Sequence, residues 1–173
     1  PALLCEDGAV LFDSMAMAEE LATRHPEAQL WPAEPKARAL ARSITAEMHA
    51  GFSALRNECP MQLFHQWVGF EPTAEVRKDL ARFEVLFSHT KQIKLKGPWL
   101  FGTYSLADAF YAPFMARIAG YALPVSADVS TYVATTLADS AFQQWRSEGI
   151  AKTYEPFPYP QPLKKTDWPT TRV

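Results

Sequence analysis

Apolar residues crowd positions 2–5 and 9–12 of the chain. The Asp7-Gly8 pair between them tolerates the positive φ of a two-residue turn, so the opening predicts an antiparallel hairpin. Asp13 and Ser14 follow at once. Met15, Met17, Ala18, Leu21 and Ala22 then recur with helical spacing up to His25-Pro26, where the residue before proline leaves the α region, which predicts a helix over about 14–24. A hairpin with one helix has too few strands to stand alone, so downstream helices or a preceding segment must cover it. The stretch from Pro26 to Pro35, with Trp31-Pro32 inside it, is dense in breakers and marks a boundary.

From that boundary to about residue 150 the chain reads as helix. Leu40, Ile44, Met48, Phe52 and Leu55 recur every three or four residues, predicting one long amphipathic helix over 35–57. Val76, Leu80, Phe83 and Phe87 repeat the spacing over 73–93, ahead of the Gly97-Pro98 breaker. Leu106, Phe110, Phe114, Ile118 and Tyr121 mark a third helix with little charge on any side, which places it at the centre of the bundle, with Pro113 expected to kink it. Val125, Val129, Tyr132 and Val133, then Phe142 and Trp145, predict two shorter helices parted near Ala138-Asp139. From Pro156 the prolines predict an extended surface tail. The expected organisation is an α/β unit at 1–25, a linker at 26–34, an all-α domain at 35–155 and a Pro-rich tail at 156–173.

Composition narrows the function classes. The 173 residues are 48% apolar and 21% charged, enough to bury a core. A net charge of −2 with scattered Lys and Arg gives no field for nucleic acid or an anionic membrane. Asp108 and Arg117 interrupt the most apolar stretch, so no bilayer span is expected. Two distant cysteines and no visible signal peptide point to a reducing cytoplasm; Cys5 reads as a small buried hydrophobe and Cys59, before Pro60, as a thiol that could be exposed. The four histidines form no paired-ligand spacing, so no metal is expected. Ser14 lacks a nucleophile elbow and no glycine loop cradles phosphate. One local signal is sharp: Ser105-Leu-Ala-Asp108 is a capping box with Asp in place of Glu, and at the head of a buried helix this reads as structural.

Taken together, these segments form a recognisable series. The strand, Asp-Gly turn, strand, Asp-Ser helix start, Leu30-Trp-Pro32 linker, helical domain, and Gly102-Thr-Tyr-Ser-Leu-Ala-Asp108 opening a central helix resemble the cytosolic glutathione transferases, and Glu47-Met-His-Ala-Gly-Phe-Ser-Ala-Leu-Arg-Asn-Glu-Cys-Pro-Met61 looks like the first all-α helix of bacterial members. The resemblance implies the C-terminal part of a thioredoxin-like domain at 1–25, followed by the family's all-α domain. It also implies a preceding β-α-β unit whose Ser, Tyr or Cys activates the glutathione sulfur; no residue of this chain matches that position, so the catalytic group is expected before Pro1.

Carried over residue by residue, Pro1 looks like the family's cis-proline, and Asp13 and Ser14 match the acidic-Ser pair that grips the γ-glutamyl end. The physics of the position agrees, because a helix N-terminus offers N–H groups and partial positive charge to a carboxylate. Ser14 stands equally where a simple N-cap would stand. The pocket for a small hydrophobic electrophile is expected against the first all-α helix, with Met48, His49 and Phe52 as candidates, and helical spacing serves a core role for Met48 and Phe52 just as well. Glutathione is thus the expected co-substrate and conjugation the expected reaction, with a non-catalytic binding or scaffold module as the other class. A homodimer through the 35–57 and 73–93 helices is also implied.

Overall fold

The computed structural model describes residues 2–152 and 161–169. Pro1 and its expected cis bond lie outside the described residues, as do most of the early tail and the last four positions. The chain opens with β1 (Leu3–Leu4) and β2 (Val10–Leu11), paired antiparallel with Leu3 opposite Leu11, and continues into α1 (Ser14–Arg24). The hairpin turn is longer than a two-residue Asp-Gly turn. Gly8 N–H donates to Cys5 O, Cys5 N–H donates to Ala9 O, and Gly8 at φ 86° takes the left-handed position that closes the bulge. Asp7 at the tip receives Arg24 Nη2 at 2.8 Å, which fastens the turn to the far end of α1. Leu4, Val10 and Phe12 of the hairpin are exposed.

A short 3-10 turn (Pro26–Ala28) leads into α2 (Pro35–Ala50). Glu34 caps α2 through the Ala37 N–H, with Pro35 at the first helical position. The expected single helix over 35–57 is two. Gly51 ends α2, Phe52 at φ 57° is left-handed, and α3 (Ser53–Glu58) restarts. A left-handed residue cannot continue the i→i−4 ladder, and Arg56 satisfies what the break leaves open by donating to the carbonyls of Met48 and Gly51. The apolar period survives the break because Phe52 and Leu55 still face the core, 5% and 1% exposed.

The reading of everything to residue 150 as helix also gives way at β3 (His65–Val68). After α4 (Ala74–Gln92), α5 (Leu106–Tyr121), α6 (Ala127–Ala138) and α7 (Ser140–Ile150), the chain returns as β4 (Lys164–Asp167), antiparallel to β3 with His65 opposite Asp167. The described part of the tail is therefore a sheet partner, not merely extended chain on the surface.

The core gathers around α5, which runs continuously through Pro113. Its Tyr111, Phe114, Met115, Ile118 and Ala119 are wholly buried, packed by Ile44 of α2, Phe83 of α4 and Val129 and Val133 of α6. The first turn of such a helix has N–H groups that water cannot reach. Asp108 answers this: Oδ2 accepts from Ser105 N and Oγ at 2.9 and 3.0 Å, and Oδ1 accepts from Leu100 N and Tyr132 Oη at 3.0 and 2.9 Å. Burial pushes its carboxyl up against the pull of these donors. The linker is joined to the same point, since Leu106 N donates to Leu30 O.

Cys59 is not the exposed thiol that its place before proline suggested. It is fully buried, and burial, followed by the neighbouring Glu58 charge, pushes its thiol up to about 12. In the native protein a thiol-reactive disulfide reagent is therefore expected to label half-buried Cys5, and Cys59 only in denaturant. Rapid labelling of Cys59 in the folded state, read by peptide mass spectrometry, would contradict this burial.

Candidate functional site

Among the described residues no three His, Cys, Asp or Glu side chains gather as a metal site, and no helix is long and apolar enough to cross a membrane. The polar convergence closest to the expected chemistry lies where α1 begins beside α2. Asp13, with extended φ −127° and ψ 138°, is the N-cap of α1: Oδ1 accepts from Met15 N at 2.8 Å and Ala16 N at 3.3 Å. Ser14 is therefore not the cap. It occupies the first helical position, where its N–H has no place in the intrahelical ladder and its hydroxyl is released from capping. The Met15 N–H first, then Ala16 and His49, hold the Asp13 carboxyl below its ordinary range against slight burial. The helix start thus presents an ionised carboxylate, a hydroxyl and the positive end of the backbone dipole side by side.

His49 joins them from the last turn of α2. Its Nε2 lies 2.9 Å from Asp13 Oδ2 and its Nδ1 3.4 Å from Ser14 Oγ, while its ring meets Phe110 of α5 edge-on at 6.4 Å. Both partners of the His49–Asp13 pair are open to solvent, with side chains 36% and 51% exposed. A second clamp holds the same two helices, Arg42 of α2 gripping both carboxylate oxygens of Glu19 of α1 at 3.0 and 2.8 Å. The position of the Asp13-Ser14 edge is thereby fixed by the helical bundle and not by the hairpin alone.

The residues proposed for an electrophile pocket do not form one wall. Met48 and Phe52 are buried at 3% and 5% exposure, Phe52 stacked edge-on against Phe114 at 5.0 Å, whereas His49 faces α1. Neighbours in a helix point about 100° apart, so Met48 and His49 could not both face the same partner. Ser105 and Asp108 lie at the head of α5 in the buried network described above. His49 was read from sequence only as a pocket candidate; its contact with residues 35 and 36 positions earlier had no local signal.

No protein-family model matches the chain. A maleylacetoacetate isomerase of Pseudomonas aeruginosa is 29% identical over 149 residues, which cover 83% of this chain and 69% of the relative. A glutathione transferase homologue from Burkholderia, solved with bound glutathione, superposes with a TM-score of 0.58 at 25% identity, over 86% of this chain and 72% of that one. A glutathione S-transferase from Rhodospirillum rubrum gives a TM-score of 0.59 at 22% identity, over 93% of this chain and 74% of that one. The buried central helix and these likenesses agree on architecture: the chain has the fold of the glutathione transferases.

Proposed function

We propose that this chain supplies the γ-glutamyl-binding edge and the helical domain of a glutathione-dependent transferase. The observation that carries the reading is the start of α1, where Asp13, Ser14 and a helix N-terminus stand together in a fold whose Burkholderia relative holds glutathione. The γ-glutamyl end of glutathione is a zwitterion, and each half has a counterpart. The ionised Asp13 accepts from the ammonium through Oδ2, and the hydroxyl and N–H of Ser14 donate to the carboxylate with the helix dipole behind them. In this reading the thiolate of bound glutathione attacks the electrophilic carbon of a small hydrophobic substrate, and the new C–S bond forms as the bond from that carbon to a leaving group breaks and the group departs with its electron pair. The group that deprotonates the thiol is supplied by residues outside this sequence.

Ser14→Ala tests the reading. A hydrogen bond to a charged group is worth about 1.5–3 kcal/mol, so glutathione affinity measured by titration calorimetry is expected to fall at least about tenfold. Thermal unfolding should move little, because Asp13 caps α1. Undiminished affinity in the variant would overturn the assignment.

A further inference from the structure

We infer that the second substrate carries a carboxylate, received by Arg117 of α5 with Arg56 of α3 beside it, at the far end of the α5 face that starts beside the γ-glutamyl edge; the inference rests on the glutathione reading above.

Arg117 is the one cation among the buried described residues, 9% exposed. Its Nε donates to Cys59 O at 2.9 Å and its Nη1 to Pro113 O at 3.1 Å, which leaves Nη2 with no partner among the described residues. Arg56 repeats the pattern: Nε and Nη2 donate to the carbonyls of Gly51 and Met48, and Nη1 has no partner among the described residues. No carboxylate there answers either guanidinium, whereas Arg24, Arg42, Arg77 and Arg82 each face an acid. Nη2 of Arg117 keeps contact with solvent, because the sealed polar atoms without partners lie on Trp31, Thr45, His65 and Trp67.

The charge balance shows what these two side chains lack. The carbonyls of Met48 and Gly51 close α2 and that of Cys59 closes α3. Each helix C-terminus offers about half a negative charge, so two of them offset about one of the two positive charges. Burial, then the charge of Arg56, lowers Arg117 to about 10, the direction expected of a cation short of counter-charge. One bound carboxylate completes the balance.

Position makes that anion part of the second substrate. Phe110, Pro113 and Arg117 stand at i, i+3 and i+7 of α5 and share one face. Phe110 meets the ring of His49, which lies against Asp13. Arg117 follows seven residues later, about 10 Å along the axis. A molecule lying on half-buried Phe110 and Pro113 therefore rests its apolar body on this stripe and brings an acid at its end to Arg117.

The test compares glutathione thioethers by calorimetric titration of the purified protein. S-(4-carboxybenzyl)glutathione and its 4-carboxamide differ in charge at the far end alone. The wild type is expected to bind the acid at least about tenfold more tightly than the amide. Arg117→Met, which keeps an apolar side chain on the same path, is expected to bind acid and amide equally and S-methylglutathione as the wild type does. Equal binding of acid and amide by the wild type, a comparison that needs no variant, would overturn the inference and leave the glutathione reading standing. A preference for the acid that persists in Arg117→Met would overturn it as well, because the carboxylate is then read elsewhere. So would a loss of S-methylglutathione affinity in an Arg117→Met protein that melts like the wild type, which would give the guanidinium to the glycyl carboxylate of glutathione itself. Absence of wild-type binding to all three ligands would overturn both readings.

Discussion

Replacing Asp108 by alanine is expected to lower the stability of the protein by about 3–5 kcal/mol, among the largest losses a single substitution brings. The carboxylate answers four donors at once: Leu100 N, Ser105 N, Ser105 Oγ and Tyr132 Oη. Each buried donor left without a partner costs about 1–3 kcal/mol, and relaxation or an entering water recovers part of the sum. The damage is not local, because these donors come from three places in the chain. Leu100 belongs to the loop before α5, Ser105 to the helix start and Tyr132 to α6, so the single side chain joins a loop and two helices in the core. Nor can the loop easily shift to compensate: a Cβ on Gly97 would lie 2.0 Å from Gly102 O, which shows how tightly that turn is folded on itself.

Chemical denaturation of wild type, Asp108→Ala and Asp108→Asn separates the contributions. Asparagine keeps the shape and one acceptor oxygen but turns its NH2 toward two of the donors, so it should fall between wild type and alanine. At this chain length the alanine variant should melt roughly 10 °C lower. A loss below about 1 kcal/mol in Asp108→Ala would mean that the network is not what holds the head of α5.

The capping-box part of that network was legible because it is local, whereas the bonds from Leu100 and Tyr132 had no local signal. A Ser followed three residues later by an acid, just ahead of an apolar run, states its own geometry. The Asp13-Ser14 helix start was legible for the same reason, although the role of cap fell to Asp13 because the first helical turn begins one residue earlier than a Ser14 cap requires. The α2–α3 break was hidden because the hydrophobic period runs across it; only a left-handed Phe52, a conformation the residue type does not advertise, interrupts the ladder. Of the two covers expected for the hairpin, the downstream helices do not supply one for Leu4, Val10 and Phe12, which stand exposed. The contact of His49 with α1 could not be foreseen, since it depends on how two helices cross and not on anything near residue 49.

The β3–β4 sheet was the least legible element, and the reason predicts how it should respond to mutation. Every residue of β4 is exposed and polar, so the strand carries no alternating pattern and is held by backbone pairing with β3. What secures it is the next residue. Trp168 is only 8% exposed, lies over Gly120 of α5, where a Cβ would come within 3.6 Å of its ring, and carries the Arg146 guanidinium on its face at 5.3 Å. Trp168→Ala is therefore expected to cost about 2–4 kcal/mol from lost burial and the cavity left beside α5, and to open residues 161–169 to protease at concentrations that leave wild type intact. Lys165→Ala, on the exposed strand with its ammonium 5.1 Å from the Trp67 ring centre, should change stability by no more than about 1 kcal/mol. Denaturation and limited proteolysis of the two variants decide between an anchored strand and a loosely applied one. If both variants behave alike, the strand is held by its ladder alone. If only the tryptophan matters, a single aromatic side chain fixes the return of the chain to the bundle, and the polar composition of β4 reflects an edge whose side chains contribute little to its own attachment.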